Sequence, residues 1–150
     1  MRLTVHVDGG SRGNPGPAAA AAVLSGPDGE VLARDSELLG VATNNVAEYR
    51  GLLLGLELAR KLGASEVEVV NDSELVAKQV NGIYRVKHPD MRPLHAQAIA
   101  ALAAFEHWKV RSVRRDQNAA ASGKRYGSAF GSARRITRWP PRQSARNTPP

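Results

Sequence analysis

Three carboxylates stand where the chain turns from strand to loop or from loop to helix: Asp8 in V-D-G-G-S, Glu48 in T-N-N-V-A-E and Asp72 in V-V-N-D-S. Gathered in one place, such acids repel one another unless a cation sits among them. An oxygen-only donor set favours a hard ion such as Mg²⁺, which in turn favours chemistry on phosphates. Each acid also has a plainer reading. Glu48 could close a capping box with Asn45, Asp8 before Gly9 and Gly10 could form a turn, and Asp72 before Ser73 could cap a helix. Glu48, however, shares a helix face with Leu52, Gly55, Leu56, Ala59 and Leu62 at spacings of three and four. A carboxylate on that face is costly unless paired or metal-bound.

The elements that must position these acids follow from periodicity. Leu3, Val5 and Val7 alternate with polar residues, which predicts a short strand ending at Asp8. Residues 18–24 are alanine-rich, but Pro17 before them and G-P-D-G after them predict a strand entering a hairpin, with residues 31–39 returning. A helix is expected from about Asn45 to Leu62, capped by Thr43 or Asn45, stopped by Gly63, and carrying Glu48 in its first turn. A strand over 67–71, helices over 73–80 and 93–105, and a last strand over 108–113 complete the pattern. If the first three strands meander, the first and third end at one sheet edge, and the long helix begins there. The right-handed crossover rule then makes the fourth strand parallel to the first. Paired strands lie about 4.8 Å apart, so Asp8 and Asp72 become neighbours at a topological switch point.

Composition limits the alternatives. A chain of 150 residues, 42% hydrophobic and 23% charged, has room for one core of ordinary size. The absence of cysteine excludes disulfides, thiol nucleophiles and zinc thiolate sites. No continuous apolar run suggests a signal peptide or a membrane span, so a cytoplasmic protein is expected. The net charge of +7 resides wholly in the last stretch, where Lys124, Arg125, Arg134, Arg135, Arg138, Arg142 and Arg146 meet no acid. The other 14 basic residues are balanced by 14 acids. The high overall charge therefore says little about the folded part. Residues 122–150, rich in Gly, Ser, Pro and Arg, read as a disordered basic tail.

The neighbours of the acids narrow the substrate. In G-G-S-R-G-N-P-G-P, residues 9–17, the glycines allow close backbone approach, and Gly10, Ser11, Arg12 and Asn14 suit a sugar-phosphate strand. A phosphate-binding P-loop does not fit, because G-x-x-x-x-G-K-[ST] is absent and Pro15 and Pro17 remove amides. Thr43, Asn44 and Asn45 lie at the same edge, as caps or as donors to base edges and 2′-hydroxyls.

These motifs, D-G-G-S-R-G-N-P-G-P, T-N-N-V-A-E-Y-R-G-L, V-V-N-D-S-E-L-V and Y-R-V-K-H-P-D-M-R-P-L, resemble the type 1 ribonucleases H in order and spacing over residues 1 to about 121. The resemblance implies a ribonuclease H-like α/β domain over residues 1–121. Its five-stranded mixed sheet would have the order 3-2-1-4-5, with strands 1 to 3 antiparallel and helices flanking it. It further implies hydrolysis of the RNA strand of RNA/DNA hybrids to 5′-phosphate products by two divalent ions, Mg²⁺ or Mn²⁺ in its place. Asp8, Glu48 and Asp72 match the first three ligands of an Asp-Glu-Asp-Asp set. Asn14, Asn44 and Asn45 match strand-contacting positions. The short stretch over residues 81–92 is similar to compact members without a basic protrusion, with Arg85, Lys87 and Arg92 partly replacing it. No role falls to His88, His95 or His107, and no protein partner or membrane is implied.

The chain departs from the family at the fourth acid. The family pattern R-x-x-N-x-x-A-D-x-L-A-N is followed from Arg115 through Ala121, and Ser122 then takes the acid's place. Asp116 matches a different, non-ligand position. The abrupt change after Ala121 points to a shifted reading frame or a replaced terminus, which translation of the other two frames tests. Without the fourth carboxylate and the final helix, weaker metal binding, lower stability and impaired cleavage are expected. The alternative is a catalytically weak or inactive hybrid-binding protein whose basic tail supplies affinity.

Overall fold

The alternation of Leu3, Val5 and Val7 produces β1 (Arg2–Ser11), with all three side chains fully buried. The computed structural model describes residues 1–113, so the readings made for Asp116, Ser122 and residues 122–150 lie outside the described residues. β1 runs past Asp8, its expected end, because Gly9, Gly10 and Ser11 go on pairing with Ala20, Ala19 and Ala18 of β2 (Gly16–Ser25). Alanine favours helix in isolation, yet β2 is a strand. It is hydrogen-bonded along both edges, to β1 and to β3 (Val31–Ala42), and tertiary pairing of this kind overrides local propensity.

After β3 the chain enters α1 (Asn44–Lys61). Thr43 is the cap, its hydroxyl accepting from Val46 N at 3.2 Å, and Gly63 ends the helix with a φ of 81°. The helix lies close against the sheet: a Cβ on Gly51 would come within 2.8 Å of Val7 Cγ1. Leu52, Leu56 and Ala59 are buried on that face, and covering each leucine stabilises the fold by roughly 1.5–3 kcal/mol.

β4 (Glu66–Asn71) returns parallel to β1, and α2 (Glu74–Val80) and α3 (Arg92–Leu102) follow before β5 (His107–Ser112) pairs parallel with β4. The sheet order is β3-β2-β1-β4-β5, as expected. α3 starts one residue before the expected Pro93 and stops three before Phe105. A proline is well tolerated in a first helical turn, where its missing N–H would lack a partner anyway. Leu102, Ala98, Val110 and Val76 join the core under α1.

Two polar features brace this frame. Tyr49 is fully buried; its hydroxyl donates to Gln79 Oε1 at 2.6 Å, and burial pushes the phenol pKa up to about 12. On the surface, Arg2 and Arg111 both reach Glu68, at 3.0 and 2.7 Å, tying β1 and β5 to β4 between them. Among the described residues no helix is long and apolar enough to cross a membrane.

Candidate active site

Val7 of β1 stands opposite Asn71 of β4, so the next residue of each strand path is an acid: Asp8 on one, Asp72 on the other. Glu48 joins them from α1, and one carboxylate oxygen of each lies within 4.8 Å of the others. Asp8 and Glu48 are only 3% and 6% exposed, and Glu48 Oε1 and both Asp72 oxygens are closed off from solvent. Three formal negative charges at this spacing repel by about 3–4 kcal/mol per pair at an effective dielectric near 20. The cluster is therefore a site that a cation stabilises, and its all-oxygen donors suit a hard divalent ion.

The plainer readings of these acids do not hold. Asp8 is a strand residue paired with Ala21, not a turn former. The cap of α2 is Ser73, whose hydroxyl accepts from Val76 N at 3.2 Å, while Asn71 Oδ1 takes Ser73 N at 2.8 Å, so Asp72 is clamped between its neighbours. Among the described residues Asn71 Nδ2 is buried without a hydrogen-bond partner. Glu48 is not in the first turn of its helix, which contains no acid, and it closes no capping box with Asn45. Because Thr43 caps and Asn44 opens the helix, Glu48 falls two positions deeper, in the second turn and on the face turned to the sheet.

Gly9 sets the approach of α1 to β1. A Cβ there would lie 2.5 Å from Ala47 O and 2.8 Å from Glu48 N. The close approach expected of this glycine loop is thus made, at Gly9, to the protein's own helix.

An open groove of about 410 Å³ surrounds the cluster, lined by Gly9, Gly10, Ser11, Asn44, Asn45, Glu48, Asp72 and Ser73. Of the residues expected to contact substrate, Gly10, Ser11, Asn44 and Asn45 line this groove. Asn14 and Asn44 lock the loop after β1 to the start of α1: Asn14 Oδ1 accepts from Asn44 N at 3.0 Å, and Asn44 Oδ1 accepts from Ser11 N at 2.7 Å. With each carbonyl oxygen engaged by an amide N–H, the end each side chain can turn to a ligand is its NH₂. Thr43 is occupied as a cap, and Arg12 is exposed in the loop outside this lining. Sequence reasoning missed Ser73 and Asn71, whose signal was their position flanking Asp72.

Arg85 and Lys87 border a second open groove with Leu75, Ile83 and Tyr84, while Arg92 lines an adjoining one with His95. The ammonium of Lys78 lies 5.1 Å from the Tyr84 ring centroid and 3.1 Å from Glu74. His88 accepts from Asp90 N through Nδ1, and His95 Nε2 meets Gln79 O at 3.1 Å. Neither histidine belongs to the carboxylate cluster.

A mixed sheet of this order, with acids meeting where the parallel pairing of β1 and β4 ends, defines a ribonuclease H-like protein. A family model described as "Reverse transcriptase-like" matches residues 6–123. The bifunctional protein Rv2228c of Mycobacterium tuberculosis is 49% identical over 119 residues, 79% of this chain and 33% of that protein. The chain thus spans about a third of its length. Ribonuclease HI of Halobacterium salinarum is 41% identical over 117 residues, 78% of this chain and 59% of that one. Among solved structures, the N-terminal RNase H domain of Rv2228c superposes with a TM-score of 0.80 at 47% identity, covering 81% of this chain and 88% of that one. LC11-RNase H1 in complex with an RNA/DNA hybrid gives 0.75 at 35% identity, covering 80% and 91%. The chain belongs to the type 1 ribonuclease H family.

Proposed function

We propose that the chain is a metal-dependent endonuclease that hydrolyses the RNA strand of RNA/DNA hybrids. The observation that carries this reading is the meeting of Asp8, Glu48 and Asp72 within 4.8 Å in an open groove. Its likeness to a relative solved with such a hybrid supports the choice of substrate.

Asp8, Glu48 and Asp72 would hold the ions, Mg²⁺ with Mn²⁺ as a substitute. A divalent ion bound there supplies Lewis-acid polarisation of a phosphate and activation of the attacking water. Hydrolysis of this kind would form a bond between a water oxygen and phosphorus and break the bond to the 3′-oxygen, which takes up a proton, leaving a 5′-phosphate and a 3′-hydroxyl. Gly10, Ser11, Asn45 and the NH₂ group of Asn44 hold the strands over the cluster, with Arg12, Asn14 and Thr43 shaping its rim. Contacts to 2′-hydroxyls select RNA, since DNA lacks them. The nuclease unit spans residues 1–121, and the basic stretch over 122–150 adds affinity for phosphates. Cleavage of a hybrid labelled on its RNA strand, abolished in Asp8→Asn, is the expected result. No cleavage by the parent chain in either Mg²⁺ or Mn²⁺ overturns the nuclease reading.

A second reading, a hybrid-binding protein of little activity, is favoured by Ser122 standing in the place of the family's fourth acid. It predicts hybrid binding without turnover, and deletion of residues 123–150 flattening the salt dependence of that binding, because fewer phosphate contacts release fewer counterions.

A further inference from the structure

Glu48 and Asp72 reach the cluster from different helical units, and something must hold those units in register. Asp72 precedes α2, a seven-residue helix whose N-terminal end is fastened by Ser73 and by the Asn71 clamp. Its other end carries Gln79, 4% exposed, whose Oε1 accepts the Tyr49 hydroxyl at 2.6 Å. Tyr49 directly follows Glu48 on α1 and is fully buried. The backbone carbonyl of Gln79 meets His95 Nε2 at 3.1 Å, and the His95 ring stands edge-on to the Tyr49 ring, with centroids 6.4 Å apart and planes at 90°. Tyr49 and Gln79, both buried, and the half-buried His95 thus join α1, α2 and α3 at one point.

We propose that Tyr49 is a positioning residue for the carboxylate cluster: by tying α1 to the far end of α2 through Gln79, its hydroxyl holds Glu48 and Asp72 at the separation a divalent ion requires. The inference rests on the metal reading above. A short helix held only at its first turn tilts about that turn, and the tilt rotates the Asp72 carboxylate next to it out of the alignment with Glu48 that metal geometry demands. Tyr49→Phe keeps the ring and its packing and removes only this tie.

The test measures Mn²⁺ binding to the full chain by electron paramagnetic resonance and calorimetry, beside the thermal midpoint and hybrid cleavage. Tyr49→Phe is expected to weaken Mn²⁺ about threefold to tenfold, the range set by one hydrogen bond of ordinary worth. The metal concentration for half-maximal cleavage should rise by the same factor. Gln79→Met should reproduce the effect, and the double variant should be no worse than either single one, because both remove the same bond. Val110→Ala, a buried residue of β5, supplies a control that lowers the midpoint and leaves Mn²⁺ affinity unchanged. Unchanged Mn²⁺ affinity in Tyr49→Phe and Gln79→Met overturns the proposal while leaving the nuclease reading in place, as does a loss no larger than that of Val110→Ala. Failure of the parent chain to bind Mn²⁺ any better than Asp8→Asn overturns the metal reading and this proposal with it.

Discussion

Asn14 and Asn44 hold each other's surroundings in place: Asn14 Oδ1 receives the backbone N–H of Asn44, and Asn44 Oδ1 receives that of Ser11. Two side chains that sequence alone assigns to the substrate also close the loop after β1 onto α1. That double duty makes the choice of substitution decisive. Asn44→Asp keeps the oxygen that Ser11 N–H needs and loses the NH₂, adding a negative charge beside the groove. It is expected to fold with a midpoint close to the parent's and to bind hybrid at least tenfold more weakly. Asn44→Ala should lower both, losing about 1 kcal/mol of stability with the bond. Urea unfolding and hybrid titration of the two variants separate the roles.

Asp8→Asn removes one charge from a crowded cluster. Without divalent ions the variant should unfold at a higher temperature than the parent, since repulsion among the three acids falls. Saturating Mn²⁺ should reverse the order, because an ion at 100 times its dissociation constant stabilises the parent by about 2.7 kcal/mol. Thermal scans with chelator and with Mn²⁺ check both halves.

Gly9→Ala puts a methyl group where Ala47 O and Glu48 N already lie. The contact is with backbone, which cannot rotate away, so α1 must shift outward. A loss of about 1–3 kcal/mol is expected, together with weaker Mn²⁺ binding as Glu48 retreats. A parent-like unfolding curve would contradict this account of the glycine.

The hydrogen bond from Arg111 holds the Glu68 carboxyl below its usual range, helped by Arg2 and opposed by partial burial. A lowered pKa in the folded state means that the unfolded chain takes up the proton first as pH falls. Glu68 therefore stabilises fully above the ordinary carboxylate range, and the contribution disappears as pH drops through the folded value. Glu68→Gln should flatten that acid limb of the stability curve by less than about 1 kcal/mol, since the pair faces solvent. Chemical denaturation at a series of acidic pH values reads the difference.

Strand and helix identities were legible because they rest on local periodicity: Leu3, Val5 and Val7 mark β1, and Leu52, Leu56 and Ala59 mark the inner face of α1. Even the alanines of β2 were readable from the proline and turn residues around them. The depth of Glu48 was not, since Thr43 and Asn45 are equally good caps on paper and the choice moves the acid by two positions, out of the first turn. The extension of β1 to Ser11 was hidden for a similar reason. Glycines signal a turn unless a partner strand continues beside them.

From sequence alone came the three acids and the elements that bear them, because residue type and spacing carry this information within a few positions; the sheet order that brings them to one edge came from the family resemblance. The tertiary structure decided how closely they meet. The approach of Gly9 to Ala47, the lock between Asn14 and Asn44, and the bond from Tyr49 to Gln79 join residues about thirty or more positions apart. Such distances follow from how whole elements pack, and no local pattern records them.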